Sequence, residues 1–230
     1  MIKLRASDER GKVQSGGLTS RHSFSFGEYY DPNYMSFRAL RVINDDVLEG
    51  GVGFPPHPHR DMEIVTYVMD GALEHQDSMG NKEVIRAGEI QRMTAGKGVT
   101  HSEYNQSKKE RTHLLQIWIV PEKRGLEPGY EQKEVGAPVE GFKKIAARGS
   151  SNGAVHINQD AAIYEGNVRG GTSVELPLPA DRYGWVQIIS GEVQVGEVTA
   201  KPGDAIMISG EDRPKLSAQA DSKMLFFDLA

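Results

Sequence analysis

The chain has 230 residues, no cysteine, a hydrophobic fraction of 38% and a formal net charge of −5. That length suits one large or two modest domains; the missing cysteines exclude disulfides, thiolate metal sites and a cysteine nucleophile; and interspersed charges without a Lys/Arg cluster leave no footprint for nucleic acid. The N-terminal stretch MIKLRASDERGKV carries charges where a signal peptide needs an apolar run, and no window approaches the ~18 apolar residues of a membrane span, so a soluble cytoplasmic protein with no membrane partner is expected.

With 26 glycines and 11 prolines, the composition favours many short strands over long helices. In residues 1–50, RHSFSF and GEYYDPNYMSFRALRVIND alternate aromatic and β-branched with polar residues around a turn at Asp31-Pro32-Asn33, and read as two or three strands. Phe24, Phe26, Tyr29, Tyr30, Met35 and Phe37 are candidates there for core, sheet face or pocket wall. From Met62, MEIVTYVMDG reads as a buried strand ending at Gly71. A hairpin turning at Ser78-Met79-Gly80-Asn81 follows, then a turn at Ala87-Gly88 and the strand HLLQIWIVP, stopped by Pro121. EKRGLEPGYEQKEVGAPVEG is rich in Gly, Pro and charge and reads as a connector. It places a boundary near residues 121–140 and predicts two domains, 1–130 and 131–230. Beyond it FKKIAA, AVHI, AAIYEGNV, TSVELPLP, GWVQIISG, EVQVG, DAIMIS and KMLFFDLA are short strand-like runs. No segment shows sustained helical periodicity, and the expected class is all-β in both halves.

The halves also compare with each other. Aligning Gly71 with Gly191 sets YVMDGALEH against QIISGEVQV, and RAGEIQRMTAG meets KPGDAIMISG if the second copy has a shorter hairpin. Counting from these glycines puts Pro177 and Pro179 opposite His57 and His59; counting from Gly96 and Gly210 puts Lys215 opposite His101. Ligand-type residues are thus confined to the first copy, and the second is expected to be structural.

That first copy concentrates its chemistry between GVGFPPHPHRDME and TAGKGVTHSEYN. His57 and His59 lie two residues apart, as do His101 and Glu103. On an extended chain residues i and i+2 share a face, so two such pairs on neighbouring strands converge four donors on one point. Three imidazoles and a carboxylate leave one or two coordination positions open, the pattern of a reactive metal. Parity keeps Glu63 open as a second inward carboxylate, because 57, 59, 61 and 63 share a face of a regular strand. Sulfur-free N/O ligation suits one divalent transition metal ion per chain, Fe(II) first, with Cu, Ni, Mn or Zn also accommodated. His75 and His113 read as hydrogen-bonded or exposed histidines, and His22 and His156 carry no signal. Lys97 and Arg60, beside the ligand pairs, read as ordinary surface charges.

Gly51, His57, His59, Glu63 and Gly71 resemble the first motif of the cupin superfamily. Gly88, Gly96, His101 and Asn105 resemble the second, with Thr94 where proline is usual and a longer gap before the histidine. HPHRDMEIVTYVMDG and MTAGKGVTHSEYN resemble the pirin family, and YYDPNYMSFRALRVINDD with EHQDSMGNKE its bacterial quercetinase-like branch. The resemblance is dense over the N-terminal half and architectural beyond it. It implies a bicupin, two antiparallel jelly-roll β-barrels packed together with the metal in the N-terminal one. It also implies that His57, His59, His101 and Glu103 are the metal ligands, with Glu63, the carboxylate of the general cupin set, beside them. The implied activity is that of a quercetin 2,3-dioxygenase: O2 opens a small aromatic, flavonol-like substrate and carbon monoxide leaves, with Glu103 as the base. The same ligands would serve a non-catalytic regulatory module that binds a protein partner. An isomerase or hydrolase of a small polar substrate is a third reading, and would surround the metal with inward Lys, Arg or Gln. An enzyme needs a pocket of a few hundred cubic ångströms reaching the metal.

Overall fold

The computed structural model describes residues 1–149 and 153–230. Their regular structure is antiparallel strand apart from one 3-10 turn, Ser7–Glu9, and no helix among them is long and apolar enough to cross a membrane. The chain divides into two compact units, one of Gly11–Gly136 with Gly149–Gln159 and the other of Met1–Arg10, Ala137–Arg148 and Asp160–Ala230.

The first unit holds two sheets of the cupin jelly-roll type. The larger runs Gly129–Glu134, Glu89–Thr94, Glu63–Asp70, Thr112–Ile119, Leu40–Leu48, Leu18–His22, Gly11–Ser15; the smaller runs Gly53–His59, Val99–Asn105, Ala72–Asp77, Lys82–Arg86. Their ladders do not join into one closed cylinder among the described residues. The strand Glu63–Asp70 is central and buried along most of its length, as its β-branched content favours. It ends at Gly71, whose φ is 77° and where a Cβ would lie 2.7 Å from the Arg111 carbonyl oxygen, so the turn excludes a side chain. Pro55, Pro56 and Pro58 are tolerated in Gly53–His59 because it is an edge strand. Leu48, Val68, Leu73, Ile85 and Leu114 form one core cluster, and Ile64, Met93 and Val99 another.

Asn105, a motif residue, ties three loops to this core. Its Nδ2 donates to the carbonyls of Leu48, Glu49 and Glu110, while its Oδ1 accepts from the Ser107 N–H and the Thr112 hydroxyl. Of the candidates named in the first fifty residues, Phe24 is buried, Phe26 stands edge-on to Trp118 at 5.3 Å, and Tyr30 and Met35 are exposed. Part of the expected connector is a strand: Gly129–Glu134 pairs with Glu89–Thr94. Its apolar content is too low to signal this, since an outermost strand is held by ladder hydrogen bonds more than by burial.

In the second unit one sheet places Ile2–Arg5, Ala205–Ser209, Tyr183–Ser190, Ser222–Leu229, Ala161–Val168 and Gly141–Ala147 side by side; the other is Ser173–Glu175, Lys215–Ala218, Val193–Val195, Val198–Ala200. Gly191 repeats Gly71, with φ 81° and a Cβ that would meet Ser222. The ladders correct one detail of the internal alignment. Val195 pairs with Leu216 as His75 pairs with Glu103, and Val193 with Ala218 as Leu73 with Asn105. Leu216 therefore stands at the place of Glu103, and Lys215 at that of Ser102. Val193, Val195, Leu216 and Ala218 join Leu176, Leu178, Val186 and Phe226 in a continuous apolar core, while Lys215 is exposed.

Candidate metal centre

The edge strand Gly53–His59 pairs with Val99–Asn105, setting His57 directly opposite His101 and Phe54 opposite Glu103, with a register shift between His101 and Glu103. The extra residue lies on the edge strand, so Val99–Asn105 keeps its alternation: His101 and Glu103 are both buried, while Ser102 and Tyr104 face outward. The rings of His57, His59 and His101 gather with centroids 4.7, 4.5 and 4.8 Å apart. One ligand nitrogen from each lies within 4.8 Å of the others, and a second trio, His75, His101 and Glu103, meets the same limit.

The donor chemistry fits a cation. Burial, reinforced by His57, pulls His59 down to about 4; burial, with His57 and His59 adding to it, pulls His101 down to about 2. His59 and His101 therefore stay neutral near pH 7, each offering a lone pair. His57 Nδ1 sits 2.7 Å from the Pro55 carbonyl oxygen, which can only accept, so Nδ1 carries the hydrogen and Nε2 the lone pair. His101 Nε2 is buried with no hydrogen-bond partner, an arrangement that is costly unless something binds there.

Glu103 is 2% exposed and receives Gln116 Nε2 on both oxygens, at 3.1 and 2.9 Å, and the Thr66 hydroxyl at 3.5 Å. Burial raises its carboxyl to about 7, helped by Asp46 and opposed by the Gln116 and Thr66 hydrogen bonds. Glu63 starts the next strand on the larger sheet and is fully buried. Its carboxylate accepts from the Thr94 hydroxyl at 3.1 Å, the Asn158 N–H at 3.2 Å and Asn158 Nδ2 at 3.3 Å. The parity that would carry positions 57 to 63 along one face ends at His59, because the chain turns through Asp61 with φ 50°. His113 pairs with Asp45 at 2.6 Å, Lys97 pairs with Glu127, and Arg60 lies 3.6 Å from Asp61.

A cavity of about 300 Å³ opens onto His57, His59 and Glu103. Val13, Leu18, Phe26, Phe54, Ile64 and Trp118 supply its apolar wall; Ser20, His22, Asn44, Asp46 and Gln116 supply polar groups. The polar residues were not legible in the sequence. Asn44, for example, reads there as one more strand position, and only its register opposite His22 and Gln116 sets it in the cavity wall. Sequence reasoning also missed the contact of His75 with His101, although His75 and Asp77 show the same two-residue spacing as the ligand pairs.

Residues 3–119 match the family model described as Pirin, and residues 144–229 the model described as Quercetinase C-terminal cupin domain. The chain is 48% identical over 229 residues to the quercetin 2,3-dioxygenase of Escherichia coli K12, an alignment covering 100% of this chain and 99% of that one. The crystal structure of YhhW from Escherichia coli superposes with a TM-score of 0.97 at 47% identity, covering 100% of this chain and 98% of the other. The structure described as bacterial pirin YhhW in complex with nickel(II) gives 0.95 at 47%, covering 100% and 99%. A jelly-roll pair, three converging histidines in the first unit, a family model over half the chain and 48% identity along its length agree: this chain belongs to the pirin family.

Proposed function

We propose that the protein is a metal-dependent dioxygenase of the quercetin 2,3-dioxygenase type, which opens the heterocycle of a flavonol with O2 and releases carbon monoxide. The cavity carries this reading: about 300 Å³ of largely apolar space reaching two of the clustered histidines and a buried carboxyl. That is the scale and lining of a small-molecule pocket, for which a module working only through its outer surface has no use. Its lining contains no Lys or Arg and a single Gln, Gln116, whose amide is engaged by Glu103, which disfavours a small polar substrate. The relative named quercetin 2,3-dioxygenase and the nickel in the relative's structure support the same reading.

In this reading His57, His59, His101 and Glu103 would hold the ion, with Fe(II) as the first choice; nickel in a relative accords with an N/O site that accepts several divalent metals. When bound, the ion supplies positive charge that lowers the pKa of a flavonol hydroxyl and stabilises its anion. Glu103 is the base for that hydroxyl. Gln116 and Thr66 fix the orientation of its carboxyl in the cavity wall. The aromatic and aliphatic wall orients flat rings and keeps water out. Asn44 Oδ1, buried without a protein partner, is an acceptor for a phenolic O–H.

The test is anaerobic reconstitution with one ion at a time, followed by oxygen uptake with quercetin and detection of carbon monoxide. Carbon monoxide should match the oxygen consumed and depend on the ion. Glu103→Gln should lose about 100-fold or more of the turnover while retaining most of its metal. No uptake by protein shown to hold one ion per chain would overturn the dioxygenase reading in favour of a binding module.

A further inference from the structure

His75 and Asp77 lie behind the histidine cluster on Ala72–Asp77, the other neighbour of Val99–Asn105; Asp77 pairs with His101 and His75 with Glu103. His75 is fully buried. Its Nδ1 is 3.4 Å from Nδ1 of His101, and its Nε2 is 3.1 Å from Oδ2 of Asp77. Asp77 accepts the N–H groups of Met79 and Asn81 on Oδ1, at 2.9 and 3.1 Å, and Asn81 Nδ2 on both oxygens, at 3.1 and 2.8 Å. A carboxyl surrounded by donors in this way is an ionised acceptor.

The proton positions follow in order. Asp77 can only accept, so the hydrogen of a neutral His75 resides on Nε2. Its Nδ1 then carries a lone pair and accepts from His101, which places the His101 hydrogen on Nδ1. The nitrogen left with a free lone pair is His101 Nε2, the buried atom without a protein partner.

We propose that His75 and Asp77 are positioning residues: Asp77, through His75, locks His101 in the tautomer whose Nε2 lone pair faces the ion. The inference rests on the ligand set proposed above and is independent of the reaction catalysed. Hydrogen bonds of this kind also fix ring orientation and raise ligand basicity, and their loss commonly costs 10–100-fold in metal affinity, on the order seen in other metalloproteins.

The experiment uses the full chain, stripped of metal, and has two readouts. Long-range ¹H–¹⁵N correlation of the imidazoles reports each tautomer, and calorimetric titration with Ni(II) reports affinity. The wild-type protein should show His101 as the Nδ1–H form and His75 as the Nε2–H form. Asp77→Asn, nearly isosteric, presents an N–H to His75 and should reverse both tautomers. Asp77→Asn and His75→Phe should each weaken Ni(II) binding by about 10–100-fold. His75→Asn, which restores an acceptor near Nδ1, should recover most of the loss, and His101→Ala should bind no Ni(II) tightly.

An Nε2–H tautomer at His101 in the wild-type protein overturns the proposal, as does unchanged affinity in His75→Phe and Asp77→Asn. Loss in His75→Phe as complete as in His101→Ala also overturns it, because His75 would then be a ligand itself. Should His75→Phe fail to fold, the wild-type and Asp77→Asn tautomers decide. Wild-type protein that takes up no Ni(II) removes the ligand set and this proposal together. A dioxygenase assay that fails with the tautomers and affinities as expected removes only the dioxygenase reading.

Discussion

Asp46 sits in the cavity wall, 3% exposed, with its carboxyl raised to about 7 by burial and by the charge of Asp45, against the opposing Ser20 hydroxyl. Its value in the unfolded chain is near 3.8, so between those two values the folded protein binds more protons than the unfolded one. Stability must then fall as pH rises through that window. Asp46→Asn has no such titration. Relative to it, the metal-free wild-type protein should lose a few kcal/mol between about pH 4 and pH 7 and no more above, as read by urea unfolding of both proteins across the range. A constant difference between the two curves would show that the carboxyl is solvated in the folded state. Residues of this kind were invisible beforehand: alternation sets Asn44 and Asp46 on one face and Asp45 on the other, but nothing local says which face lines a cavity. By contrast, His57 and His59 announce themselves, because two imidazoles at strand spacing must share a face.

The edge strand Gly53–His59 approaches Val99–Asn105 closely because Gly53 has no side chain. A Cβ there would lie 2.1 Å from the Glu103 carbonyl oxygen and 2.5 Å from Tyr104 Cα. Gly53→Ala must therefore displace the edge strand, which pairs with only one neighbour and so gives way without unfolding the sheet. Since that strand carries His57 and its neighbour carries His101, Ni(II) affinity should drop roughly 10-fold, the scale of losing a supporting contact around a metal. Calorimetric titration checks this, and unchanged affinity would show the cluster to be insensitive to strand spacing. Strand positions such as Glu63–Asp70 and Thr112–Ile119 were legible from apolar runs and their closing turns. Gly129–Glu134 was not: its pairing with Glu89–Thr94 is decided by the partner strand, while its own residues read as a connector.

Each unit has its own apolar core, and none of the clustered histidines belongs to them. His101→Ala should accordingly abolish tight metal binding and leave a cooperative unfolding transition and a strand-rich circular dichroism spectrum. Loss of the folded state would instead assign the ion a structural role. In the second unit Leu216 and Val195 close the interior that Glu103 and His75 keep polar in the first, so the repeat preserves the jelly-roll without preserving a site. From the sequence by itself came the all-β class, the glycine-closed turns, the repeat and the residues able to bind a metal, because these depend on local sterics and on a side-chain period of two. Only the tertiary structure decided that His75 lies against His101, that the chain turns at Asp61 before Glu63, and that Asn44, Asp46 and Gln116 share one cavity wall. Those facts depend on ladder register and on what the opposite sheet covers, and residues distant in the chain set both.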